Sequence, residues 1–63
     1  MNSTMDKIRG NWNELSGKLK AQYGELTDDD LAYQKGKEEE LIGRIQYRLG
    51  ESKDKVKKII DNL

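Results

Sequence analysis

Apolar residues recur along this chain at steps of three and four, the spacing of one face of an α-helix. The first run is Met5, Ile8, Trp12, Leu15, Leu19 and Tyr23. Asn2 or Ser3 is placed to cap its start. Gly24 is placed to end it by taking the left-handed backbone conformation that a β-carbon disfavours. A second, short helix is expected over residues 28–35, carrying Leu31. Thr27 would cap it, and Asp28, Asp29 and Asp30 would face its positive end. Gly36 breaks the pattern. A third helix is expected over residues 37–49, with Glu38, Glu39 and Glu40 in its first turn and Leu41, Ile42, Ile45 and Leu49 as its stripe. Gly50 ends it, and Ser52 is the next N-cap candidate. A last helix then carries Val56, Ile59, Ile60 and Leu63 on one face. The chain has no proline and no alternation of β-branched residues, so the expected class is all-α with four short helices.

The pattern also repeats. A shift of 26 residues lays Gly10, Glu14, Leu15, Gly17, Gly24, Glu25 and Asp28 on Gly36, Glu40, Leu41, Gly43, Gly50, Glu51 and Asp54, seven identities in nineteen aligned positions. All six glycines belong to it. The chain therefore reads as one domain over residues 1–63, with repeat units of about 10–35 and 36–61. Each unit is expected to be an αα-hairpin, a long helix, a glycine stop and a shorter helix. Two such hairpins would close a core between them. Gly17 and Gly43 fall inside helices, where glycine costs ~1 kcal/mol relative to alanine. A close crossing of the two long helices at these positions would explain both. The alternative is that they are surface glycines with no packing role.

Composition narrows the chemistry. Sixty-three residues lie near the lower limit for folding without staples, and the chain has neither Cys nor His. Disulfides, thiolate nucleophiles, the usual zinc ligands and the usual general base are thus all missing. Marginal stability resting on apolar burial is the expectation. No catalytic residue, metal site or cofactor is expected, and an enzyme is not. A calcium loop starting at Asp28 would put Ala32 at a ligand position and Tyr33 where the turn glycine belongs. Acidic helix capping explains that run better. Twelve basic and twelve acidic residues cancel, so no global field draws in nucleic acid or anionic lipid. No apolar segment is long enough to span a membrane. The start, Met1 to Asp6, has no secretory core, which makes the cytoplasm the expected location.

Two features bear on binding. Trp12 sits in the stripe with Ile8 and Leu15 and reads as a core anchor. Tyr47 lies off the Leu41–Ile45–Leu49 line, where an exposed aromatic would belong to a contact surface. The basic residues Arg44, Arg48, Lys53 and Lys57 are the candidate nucleic-acid contacts, with Lys55 and Lys58 beside them. Glu51, Asp54 and Asp61 interleave with this group, so a solvated helix face is the stronger reading. The last helix is amphipathic and flanked by lysine, which raises attachment to an anionic membrane surface, though its stripe is needed for the core.

The stretch Lys7-Ile8-Arg9-Gly10-Asn11-Trp12, then Gly17-Lys18-Leu19-Lys20, then Gly24-Glu25-Leu26-Thr27-Asp28-Asp29-Asp30-Leu31 resembles the CsbD-like family. So do Gly36-Lys37, Leu41-Ile42-Gly43-Arg44-Ile45-Gln46 and Gly50, and the likeness runs from about Met5 into the last helix. Tyr23 stands where many relatives carry a second Trp, and a tyrosine fills a similar site. The resemblance implies an abundant bacterial protein of the general stress response, made under an alternative sigma factor. It brings no catalytic or binding residues with it. It also implies four short helices in two roughly orthogonal hairpins, akin to SAM-like domains. The function expected is a non-enzymatic one exercised through interaction or abundance, with an unknown protein partner or self-association. The alternative is weak nucleic-acid binding through the Lys/Arg face of the last two helices.

Overall fold

The structure is a computed structural model that describes residues 3–63. It contains three α-helices, with no strand among the described residues: α1 (Thr4–Gln22), α2 (Glu38–Leu49) and α3 (Lys53–Asp61). The all-α class holds and the count of four does not. Two of the four N-cap expectations fall on real helix starts. Ser3 accepts from the Asp6 amide at 3.2 Å while the Asp6 carboxylate accepts from the Ser3 amide, a reciprocal capping box. Asn2, the other candidate for that cap, lies outside the described residues. Ser52 caps α3 by accepting from the Lys55 amide at 3.2 Å.

The expected second helix, residues 28–35, is a single turn. Thr27 and Asp30 make the capping box that should start it: the Thr27 hydroxyl accepts from the Asp30 amide at 3.2 Å and the Asp30 carboxylate from the Thr27 amide at 3.0 Å. The turn closes through the Leu31 and Ala32 amides and goes no further. The carbonyls that a continuing helix would need are occupied from outside. The Trp12 indole N–H donates to the Leu31 carbonyl at 2.7 Å, and Arg44 donates to the carbonyls of Asp30 and Ala32. Leu31 is also the one aliphatic side chain buried there, and a helix in a protein is stabilised chiefly by packing an apolar face. The first repeat unit therefore forms no hairpin, and the fold is not a pair of orthogonal SAM-like hairpins. Residues 23–37 run instead as a strap across the helices.

Two glycine expectations also change. Only Gly36 (φ 91°) and Gly50 (φ 68°) have a positive φ. Gly50 caps α2 in the left-handed conformation, its amide donating to the Gln46 carbonyl at 2.8 Å. Gly24 is not left-handed, because α1 already ends at Tyr23, whose amide donates to the Leu19 carbonyl at 2.8 Å. Gly17 and Gly43 are exposed, and a β-carbon on either would meet no atom within 4 Å. The helices do not cross there.

A kink divides α1 at Asn11, whose φ of −156° and ψ of 40° leave the helical region. Asn11 is a good N-cap residue with Glu14 three places on, and its amide group donates to the Glu14 carboxylate. The 26-residue shift lays Asn11 on Lys37, the N-cap of α2. Both aligned helices thus begin at corresponding positions.

The core comprises Ile8, Trp12, Leu15 and Leu19 of α1, Leu26 and Leu31 of the strap, Leu41, Ile42 and Ile45 of α2, and Val56 and Ile60 of α3. Each helix packs against the other two. The chain ends are joined as well: Thr4 Oγ1 donates to the Asp61 carboxylate at 2.9 Å, and Lys7 Nζ to the Asp61 carbonyl at 2.8 Å. That places a cation against the negative end of α3.

Candidate functional site

A cluster of charged side chains holds the strap. Arg48, on α2, reaches Asp30 through Nε at 2.8 Å and Nη2 at 3.4 Å. Arg44, one turn earlier, binds the two strap carbonyls and pairs with Glu40 at 3.0 Å. At the strap's exit the Glu38 carboxylate accepts from the Gly36 amide at 2.8 Å and from the Tyr33 hydroxyl at 2.5 Å. Arg9 of α1 faces it at 3.5 Å and pairs with Asp6 at 2.6 Å. Above the Trp12 indole the Tyr33 ring packs edge-on, with centroids 6.3 Å apart.

These contacts set the ionisation of the groups. The Thr27 amide, helped by Arg48, holds the Asp30 carboxyl below the usual carboxylate range. The Tyr33 hydroxyl and the Gly36 amide do the same for Glu38. Partial burial, and then the neighbouring Glu38 carboxylate, raise the Tyr33 hydroxyl above its ordinary value. No buried side-chain nitrogen or oxygen among the described residues lacks a partner. Asp30 acts as a capping and ion-pairing group, as acidic capping predicts, and Asp28 pairs with Lys20.

The four candidate nucleic-acid contacts do not form a free basic face. Arg44 and Arg48 point to the strap, and Lys53 of α3 pairs with Glu39 at 2.6 Å. Lys57 is half-buried on the α3 side of the same glutamate, whose carboxyl both lysines help to lower, Lys53 foremost. Tyr47 fares differently. It stands on the crest of α2, 87 % exposed, and is the one large hydrophobic residue so placed among the described residues. Gly43, one turn before it, is exposed too.

Reasoning from the sequence missed the strap's anchors. Asp30 and Arg48 lie 18 residues apart and Trp12 and Leu31 nineteen, beyond any local pattern. One signal was available: Thr27-x-x-Asp30 is a capping box, and a buried indole N–H needs an acceptor.

Comparison with known proteins places this arrangement among relatives. The pattern that defines the CsbD-like family matches residues 6–58. The UPF0337 protein YjbJ of an Escherichia coli O6:H1 strain is 46% identical over 57 residues, which cover 90% of this chain and 83% of that protein. The UPF0337 protein PA4738 of Pseudomonas aeruginosa is 49% identical over 55 residues, covering 87% of this chain and 82% of that protein. No solved structure matches. With the aligned span taking in α1, the strap, α2 and most of α3, the chain belongs to the CsbD-like family of small bacterial proteins.

Proposed function

We propose that this protein is a non-enzymatic, cytoplasmic component of the bacterial stress response that acts by contact with a partner or by its abundance. Tyr47 carries the proposal. A ring 87 % exposed at the crest of α2 contributes nothing to the core, and Gly43 beside it leaves room for a partner's backbone. The remaining polar groups support it, since Arg9, Arg44, Arg48, Asp30 and Glu38 all have structural partners. No helix among the described residues is long and apolar enough to cross a membrane. The test is Tyr47→Ser. Its thermal stability is expected to stay within ~0.5 kcal/mol of the wild type. A partner recovered from stressed cells with the wild-type chain is expected to be lost, and recovery of the same partner with Tyr47→Ser would count against the contact. A protein level unchanged between resting and stressed cells would remove the stress assignment.

The alternative, phosphate contact through Arg44, Arg48, Lys53 and Lys57, would require three of the four to leave their present partners. Duplex and single-stranded DNA titrated at low and moderate salt decide it. Binding that weakens steeply with salt would favour this reading, and no binding at low salt would end it.

A further inference from the structure

We propose that residues 23–37 form an acid-released strap, which lifts from Trp12 on protonation of Asp30 and Glu38 while the three helices stay packed. The geometry divides the molecule into two kinds of attachment. Helix meets helix through Ile8, Leu19, Leu41, Ile42, Ile45, Val56 and Ile60, all fully buried and none in the strap. The strap buries only Leu26 and Leu31 in the core, with the half-buried rings of Tyr23 and Tyr33 packed against its edge, and its remaining attachments are polar contacts to its backbone and carboxylates. Segments with few apolar contacts open before the rest of a fold.

Two carboxylates secure it, one in the middle and one at the exit. Facing Asp30 are the Thr27 amide of the strap itself and Arg48 of α2, with Arg44 on the Asp30 carbonyl. Facing Glu38 are the Gly36 amide, the Tyr33 hydroxyl and Arg9 of α1, which is shared with Asp6. No group of α3 acts on either carboxylate. Protonation removes the charge that Arg48 and Arg9 bind and leaves the Thr27 and Gly36 amides a neutral, weaker acceptor. Because both folded carboxyls titrate below the usual range, the stabilisation is complete above about pH 5 and is lost as pH falls through the folded values. Release uncovers Trp12 and the apolar floor beneath Leu26 and Leu31, so acid creates a hydrophobic surface that neutral conditions conceal.

Trp12 is the only tryptophan, and its indole bonds to the strap, so its fluorescence reports the release directly. In an acid titration of the wild-type chain, the Trp12 transition is expected at least half a pH unit above the loss of far-UV helical ellipticity. Asp30→Asn is expected to raise the Trp12 midpoint further and to leave the helical midpoint in place. Glu39→Gln, in the pair with Lys53 away from the strap, is expected to leave the Trp12 midpoint unchanged. Coincident transitions in the wild type, still coincident in Asp30→Asn, would overturn the proposal. Should Asp30→Asn fail to fold, hydrogen exchange of the wild type decides. As pH is lowered below the usual carboxylate range, loss of protection at the Leu26, Leu31 and Lys37 amides with Ile45 still protected sustains the strap, and simultaneous loss refutes it.

Discussion

After Gly50 the chain turns at once into the nine-residue helix α3, whereas after Gly24 it makes one turn and continues as an irregular strap. The two segments occupy corresponding places under the 26-residue shift, and both begin with a side-chain cap, Ser52 in one and Thr27 in the other. Their difference shows what extends a helix beyond its first turn. The α3 segment places Val56, Ile59 and Ile60 on one face, against α1 and α2, and its amides find carbonyls within the helix. The strap segment has only Leu31 fully in that role, with Tyr33 half-buried against Trp12, and its carbonyls accept from Trp12 and Arg44 instead. A cap nucleates; an apolar stripe propagates.

The largest expected effect breaks the better-packed half. Ile60→Ala removes a fully buried side chain of α3 and is expected to destabilise the whole domain by about 2–5 kcal/mol. In so small a chain, at about 4–8 °C per kcal/mol, this lowers the melting temperature by roughly 8 °C or more, and calorimetry measures it. The next effect is confined to the strap. Trp12→Phe keeps most of the ring but leaves the Leu31 carbonyl without its donor, at a cost of about 1–3 kcal/mol. Local amide exchange at Leu31 should rise more than exchange at Ile60.

The matched glycines sharpen the same comparison. Gly50→Ala forces a β-carbon into a φ of 68° and is expected to destabilise by about 1–2 kcal/mol. Gly24→Ala, at the corresponding site without a positive φ, is expected to be near neutral. Gly17→Ala and Gly43→Ala place a methyl group in open space within a helix and are expected to stabilise, by up to ~1 kcal/mol each. Thermal melts of the four variants rank them, and a loss at Gly17 or Gly43 would contradict the open environment. Smallest is Asp28→Asn. It breaks the exposed pair with Lys20, and no measurable shift in melting temperature is expected.

Much of this molecule was legible before its fold was known. The starts of α1 and α3 follow from Ser3 and Ser52, the end of α2 from Gly50, and the buried face of each helix from apolar steps of three and four. Trp12 as a core anchor and Tyr47 as an exposed aromatic came from their position on or off those stripes. All of these depend on interactions within about four residues, where sequence neighbours are also spatial neighbours. The candidate site was less legible: Arg44, Arg48 and Lys53 read as a basic cluster because their partners were not adjacent in the chain. Whether Thr27-Asp28-Asp29-Asp30 opened a helix or a strap, and whether Gly17 and Gly43 met or faced outward, depended on what came to rest beside them. Only tertiary contact decides that, because the competing acceptors and donors belong to helices far away in sequence.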